Sequence, residues 1–233
     1  VNAEHRGFSS AECGRAYTTA LDLCRELGDA PEIFSVLSGL GSYEITRAGF
    51  AKCRELAQEC LSRGAEQAAN PAIVMGHLLL GGTLFLMADL ASARTHLETA
   101  LRLYDSDSTP RRGKQVLYVQ DQKSTGLCYL ALTTTLMGDV DSGLSAARRG
   151  LAHSEALGGA HTINFSLCYL AAVLYIQGEF AEADKRATQS MHSAREQGFA
   201  TWIGISQTIR GGAQVANGDG AAGLDELMRG TTA

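Results

Sequence analysis

GLCYLALTTTLMGDV, Gly126–Val140, and SLCYLAAVLYIQGEF, Ser166–Phe180, lie forty residues apart in one chain. Both carry Leu-Cys-Tyr-Leu-Ala, and both then place an aliphatic residue, a Gly and an acidic residue in step. A chain that says nearly the same thing twice is searched first for a period. Aligned on the short turn that follows each apolar run, five turns appear: AGFAKC from Ala48, ADLASA from Ala88, GDVDSG from Gly138, GEFAEA from Gly178 and GDGAAG from Gly218. Their starts are 40, 50, 40 and 40 residues apart. The excess falls at SDSTPRRGKQ, a polar Pro/Gly stretch of the kind that tolerates insertion.

The rest of each unit falls into register with these turns. A pair ends seven residues before each: Leu40-Gly41, Leu80-Gly81, Leu130-Ala131, Leu170-Ala171 and Arg210-Gly211. Five residues after the turn start stands a small residue: Cys53, Ala93, Gly143, Ala183 and Gly223. Seven further on stand Cys60, Ala100, Gly150, Ser190 and Gly230, and Cys13 and Ala20 repeat the two places in a preceding half-unit. Small residues at fixed places are what two antiparallel helices need at their closest approach. Each unit therefore reads as a hairpin of helix A and helix B, with one apolar face left for the next hairpin to cover.

The spacing predicts an all-α, right-handed α-solenoid of about eleven helices. A half-repeat at 8–28 precedes hairpins at 31–65, 71–105, 120–157, 160–197 and 200–229, all in one repeat domain spanning 1–233. Pro31 and Pro71 fall at helix starts, where a missing N–H costs nothing. Gly28, Gly158 and Gly198 fall where B helices end.

The Leu-Gly pair with its two later small residues resembles the tetratricopeptide repeat (TPR). The 40-residue unit is longer than the 34-residue type and looks like the variant of large bacterial signalling ATPases. LCRELGD, GHLLLGGTLFLMADLASARTHLETALRLYD and GFATWIGISQTIRGGAQVANGDGAAGLDELMRG resemble the C-terminal repeat region of bacterial proteins in which a class III adenylate/guanylate cyclase domain precedes an ATPase domain. Related arrays occur in ATP-dependent transcriptional activators. The likeness covers nearly the whole chain. It implies that the cyclase and ATPase residues belong to other parts of a parent protein. The absence of an initiator Met fits an excised piece of such a parent.

Composition and motifs point away from catalysis within these residues. The net charge is -5 over 233 residues, the opposite of a nucleic-acid footprint. No apolar run reaches the length of a membrane helix. No G-x-x-x-x-G-K-[ST] occurs: in RRGKQ, Gly113-Lys114 lacks the earlier glycine and Gln115 replaces the hydroxyl. GLGSYE at Gly39 sits inside a helix A, where its glycines serve packing. DSDSTP from Asp105 has Pro110 where a Ca²⁺ loop needs glycine. The six histidines form no H-x-x-x-H pair, and His77 reads as a packed histidine of helix A. Asp139, Asp141, Glu179 and Glu182 stand at B-helix starts, where they complement the helix dipole. No cofactor and no metal are expected. Six cysteines without a C-x-x-C pair read as buried reduced thiols, which suits a cytoplasmic location.

What remains is a surface. By the TPR resemblance, the inner wall is built from A helices and carries Met75, Leu78, Phe85, Cys128, Leu132, Phe165, Cys168, Tyr175 and Ile176. Such a wall suits an amphipathic helix or extended apolar segment. The expected role is a non-catalytic protein-interaction or regulatory module whose partner is a protein, a peptide segment or another domain of the parent. Two other readings fit the same residues: a small-ligand sensor of an ATP-dependent transcriptional regulator, and a self-assembly module. Arg111, Arg112, Lys114 and Lys123 form one basic cluster, read as a solvated loop or as a docking point for an acidic segment. Finally, Tyr17, Leu21 and Cys24 recur on one side of the first B helix. If the chain lacks the helix A before it, that stripe is left bare and a weak homodimer is expected.

Overall fold

The computed structural model describes residues 10–28, 32–107 and 121–232, with side chains to 230. Among them are eleven helices and no strand. These are α1 (Ala11–Glu26), α2 (Ile33–Thr46), α3 (Phe50–Glu66), α4 (Asn70–Leu86), α5 (Leu90–Ser106), α6 (Gln122–Leu136), α7 (Val140–Leu157), α8 (Ala160–Ile176), α9 (Phe180–Gln197), α10 (Ala200–Ala216) and α11 (Gly220–Thr232). The chain forms two compact units, Val1–Gly126 and Leu127–Ala233. In the first, α1 to α5 pack in sequence, and the A helices α2 and α4 touch directly. In the second, α7 to α11 pack in sequence, and the A helices α8 and α10 touch.

Every A helix reverses into its B helix in the same way. Ala48, Ala88, Gly138, Gly178 and Gly218 all have left-handed backbone, with φ of 56°, 62°, 93°, 82° and 97°. In each case the next amide donates to a carbonyl five residues back: Gly49 to Glu44, Asp89 to Leu84, Asp139 to Thr134, Glu179 to Leu174 and Asp219 to Gln214, at 2.8–3.0 Å. This hydrogen bond satisfies one of the carbonyls that a helix end leaves orphaned. Gly28, Gly158 and Gly198 repeat the left-handed geometry at the ends of α1, α7 and α9. Pro71 lies in the first turn of α4; Pro31 falls outside the described residues.

The small positions are where the helices meet. Cys53, Ala93 and Ala183 are fully buried, as are Cys60, Ala100 and Ser190. A Cβ at Gly143 would stand 2.9 Å from the carbonyl oxygen of Ala131, and one at Gly223 would stand 2.6 Å from that of Gly211. Backbones that close leave no room for a side chain. Arg210 departs from the leucine of the other units. Its guanidinium reaches Asp184 on α9 at 3.3 Å and Glu226 on α11 at 2.9 Å, so it ties both flanking B helices to α10.

The duplicated Leu-Cys-Tyr-Leu-Ala is the contact between successive A helices. Cys128 Sγ lies 3.5 Å from Ser166 Oγ, and Cys168 Sγ lies 3.2 Å from Ser206 Oγ, both 38 residues apart in sequence. Tyr129 and Tyr169 meet edge to face with ring centroids 5.3 Å apart. All six cysteines are free thiols, five of them buried and Cys13 half-buried. Burial pushes the thiols of Cys53 and Cys168 up, and Cys60 to about 12. These groups stay neutral and poorly nucleophilic.

One expectation is corrected. The stripe of Tyr17, Leu21 and Cys24 is not bare. Leu21 is 2% exposed and Cys24 8%, and both join the first unit's core with Ile33, Leu37 and Leu40, against which Tyr17 packs. The reason is that α1 turns this side toward the following helix. The Tyr17 ring fills the space beside Gly39, and the Tyr43 ring fills the space beside Gly14. The self-association expected from that stripe loses its basis.

Two predictions follow from this geometry. Alanine in a left-handed turn is strained where glycine is not. Ala88→Gly should therefore gain about 0.5–1 kcal/mol in denaturant unfolding, and Gly178→Ala should lose about 1 kcal/mol. No atom stands within 4 Å of the Cβ that Gly178→Ala adds, so its cost reports backbone conformation alone. Ala183→Leu should overpack the α8–α9 contact and cost about 1–3 kcal/mol. An unchanged unfolding midpoint would place Ala183 elsewhere.

Candidate interaction surface

The nine residues expected on the A-helix wall are placed as follows. In the first unit, Met75 and Leu78 on α4 are buried and Phe85 is half-buried. Met75 belongs to the core beside Leu79. In the second unit, Cys128 on α6 and Phe165 and Cys168 on α8 are buried, and Leu132 is half-buried. Tyr175 and Ile176, at the end of α8, are 38% and 45% exposed. The most exposed apolar residues of the set are Tyr175 and Ile176.

Around Phe165 the second unit builds a continuous row of rings. Tyr129 on α6 meets Tyr169 on α8, and Tyr169 lies 4.4 Å from Phe165 between centroids. Phe165 meets Trp202 on α10 at 5.4 Å, edge to face. Trp202 Nε1 donates to His161 Nε2 at 3.2 Å, which fixes the tautomer of that ring, and His161 meets Phe199 at 5.1 Å. Edge-to-face pairs at these distances add to simple burial. Burial, and then the neighbouring Tyr129, hold the Tyr169 hydroxyl well above its ordinary pKa, so it stays protonated. Phe165 is buried, while Tyr129, Tyr169, Trp202, His161 and Phe199 each keep part of their surface exposed. No Asp, Glu, Lys or Arg occurs in α8, nor in α10 before Arg210. Sequence reasoning placed only Phe165 of this row. The Tyr129/Tyr169 repetition was a visible signal, but the pairing of His161 with Trp202 had none.

The first unit holds a second cluster that no motif announced. His77 on α4 and His96 on α5 face each other across the hairpin, with Nδ1 to Nδ1 at 2.9 Å and ring centroids 5.1 Å apart. That centroid separation is close to the nitrogen distance plus the two ring radii, so the nitrogens point nearly head on. One Nδ1 must carry a proton and donate; the other accepts. Burial, then His96, then Arg102 lower the pKa of His77; burial lowers that of His96.

Of the basic cluster, Arg111, Arg112 and Lys114 lie outside the described residues. So do Pro110, at the end of the DSDSTP stretch, and Gly113 of the RRGKQ stretch. Lys123 pairs with Asp105 at 2.6 Å and stands over the Tyr104 ring. Among the described residues no group of three or more His, Cys, Asp or Glu is arranged to hold a metal. None of the helices described is long and apolar enough to cross a membrane.

No protein-family model and no curated protein matches the sequence. Solved structures do. The Rap protein complexed with Competence and Sporulation Factor is similar over 99% of this chain, at 15% identity and a TM-score of 0.75; this chain spans 60% of Rap. BtubC (BKLC) from P. vanneervenii is similar over 96% of this chain and 91% of its own, at 15% identity and a TM-score of 0.66. The TPR-like repeats of a putative kinesin light chain from P. anserina match over 88% and 96%, at 14% identity and a TM-score of 0.58. These likenesses are of fold, and the chain has the fold of a TPR-like helical solenoid.

The histidine pair makes stability depend on pH. Both folded pKa values lie below the ordinary 6.5. The unfolded chain therefore binds more protons in the window just below 6.5. Stability is full above that value and falls as pH drops through it toward the folded values. His77→Gln and His96→Gln should each flatten this part of the profile in pH-dependent denaturant unfolding. A slope that both variants leave unchanged would assign it to other groups.

Proposed function

We propose that this chain is a non-catalytic TPR-like module that binds a protein or peptide segment, and that it serves as the regulatory repeat region of a longer cyclase–ATPase signalling protein. The observation that carries the first half is the ring row of the second unit. It presents partly exposed aromatic edges around α8, which carries no charged side chain, and the charge-free first half of α10, the chemistry on which an apolar segment docks. Tyr175 and Ile176 extend that chemistry toward the end of α8. The solved Rap structure, a complex with Competence and Sporulation Factor, shows one protein of similar fold holding a partner. The second half is supported by the sequence resemblance from Leu23 to Asp29, from Gly76 to Asp105 and from Gly198 to Gly230. Of the remaining wall residues, Cys128, Leu132 and Cys168 are proposed as the floor beneath such contacts in the second unit, and Met75, Leu78 and Phe85 as part of the first unit's own apolar wall. The neutral, buried thiols accord with a reducing cytoplasm.

The chain's one tryptophan is Trp202, inside the ring row. Peptides selected from a displayed random library against the purified chain should change its fluorescence on binding. Tyr169→Ala should weaken them about tenfold, or about 1.4 kcal/mol. Selected peptides that bind with unchanged Trp202 emission and equal affinity for Tyr169→Ala would overturn this placement. ATP or GTP turnover that co-purifies with the chain and is lost on a point substitution here would overturn the non-catalytic reading.

A further inference from the structure

The A–B turns of the second unit carry an exposed apolar ridge. Leu136 and Met137 end the first of its A helices, and Val140 begins the next B helix. Tyr175 and Ile176 hold the same place in the following hairpin, and Val215 in the last. All six are between 38% and 51% exposed. The ridge is continuous. Gln177 Nε2 donates to the Val140 carbonyl at 2.8 Å, which joins the first turn to the second. The Tyr175 ring lies 3.1 Å from where a Cβ would stand on Gly212, one helical turn before Val215, which joins the second to the third. Large apolar side chains gathered on one edge are a recognised sign of a contact surface.

The charge around the ridge has one sign. The three turn segments, 136–143, 175–182 and 215–222, contain Asp139, Asp141, Glu179, Glu182 and Asp219, and no Lys or Arg. Glu182 is neutralised by Arg186 at 2.7 Å. Asp139, Asp141, Glu179 and Asp219 are exposed. Helix N-termini account for acidic residues at these places, but not for the apolar residues between them. A second copy of the chain meeting this edge by two-fold symmetry would bring the carboxylates together. An anionic lipid surface would be repelled by them. A cationic partner with an apolar stripe satisfies both features.

We propose that this turn edge is a docking surface for an amphipathic segment carrying basic residues beside its apolar ones. Apolar side chains of the segment would cover Met137, Val140, Tyr175 and Ile176, and its Lys or Arg residues would reach the four exposed carboxylates, of which Asp139 also caps α7 through the Ser142 N–H. The inference rests on the reading that the chain binds a protein segment, but it places the contact at the turns and not on the ring row.

The test uses a peptide of about four helical turns built from Leu and Lys at helical spacing. Its controls are a scrambled peptide of the same composition and a Leu/Glu counterpart. The Leu/Lys peptide should bind, weaken as salt rises, and shift NMR signals of 136–141, 175–179 and 215–219. Met137→Ser with Val140→Ser, and separately Asp139→Asn with Glu179→Asn, should each weaken it at least tenfold while library peptides still change Trp202 emission. A footprint elsewhere, equal binding of the scrambled or acidic peptide, or loss of affinity only in Tyr169→Ala would overturn the proposal; the last would leave the ring-row reading standing. Dimerisation abolished by Met137→Ser, or binding to vesicles of anionic lipid through this edge, would assign the ridge to another occupant and overturn it equally.

Discussion

The fold depends on a left-handed residue at the end of every A helix. Each A helix must stop and send the chain back alongside itself within three residues. The five turns do this with one positive-φ residue and one amide that donates five residues back. Once that geometry is fixed, the B helix starts at a set distance and angle. The small residues five and twelve positions later then come to face the A helix. Where the turn residue is glycine the geometry is free of strain; at Ala48 and Ala88 the first unit accepts a cost that the packing of two helices offsets.

Close approach in turn dictates the chemistry of the core. Helices held apart only by Ala, Gly, Ser and Cys bring polar backbone and hydroxyl groups into the interior, and each must be satisfied. Thr83 donates to the carbonyl of Leu79 and its hydroxyl lies 3.0 Å from Cys53 Sγ; Ser206 donates to Ser190, and both meet Cys168. The thiols are therefore elements of packing, small enough for the contact and polarisable enough to accept a hydroxyl. Their raised pKa values follow from the same burial and keep them inert. The largest rings are displaced outward by this crowding. That is why the second unit collects Tyr129, Tyr169, Trp202 and His161 into a half-buried row.

Much of the fold was legible because a repeat writes its interface several times. The turn starts, the small positions and the glycine caps were all read from spacing, and those of the five hairpins correspond to described features, while Cys13 and Ala20 of the half-unit are only half-buried. The failure at Tyr17, Leu21 and Cys24 is equally instructive. Their spacing identified an apolar stripe on α1, but a stripe does not say which neighbour it meets. The stripe faces α2, so its presence says nothing of a missing helix. The nine wall residues illustrate the same limit. Residues on one A helix share a pattern, yet Cys168 is buried against α10 while Ile176, eight residues along, is exposed.

The sequence by itself determined the period, the reversal of each hairpin and the places where helices touch. These are set by local backbone preference and side-chain size, which spacing records directly. The tertiary structure decided which side chains remain at the surface and which meet across hairpins. His77 and His96, nineteen residues apart, face each other only because α4 and α5 pack antiparallel at that level. Leu136, Tyr175 and Val215 form one ridge only because successive turns stack on the same edge. Neither juxtaposition belongs to any short stretch of sequence, since each is created by the rotation of one helix about its axis relative to the next.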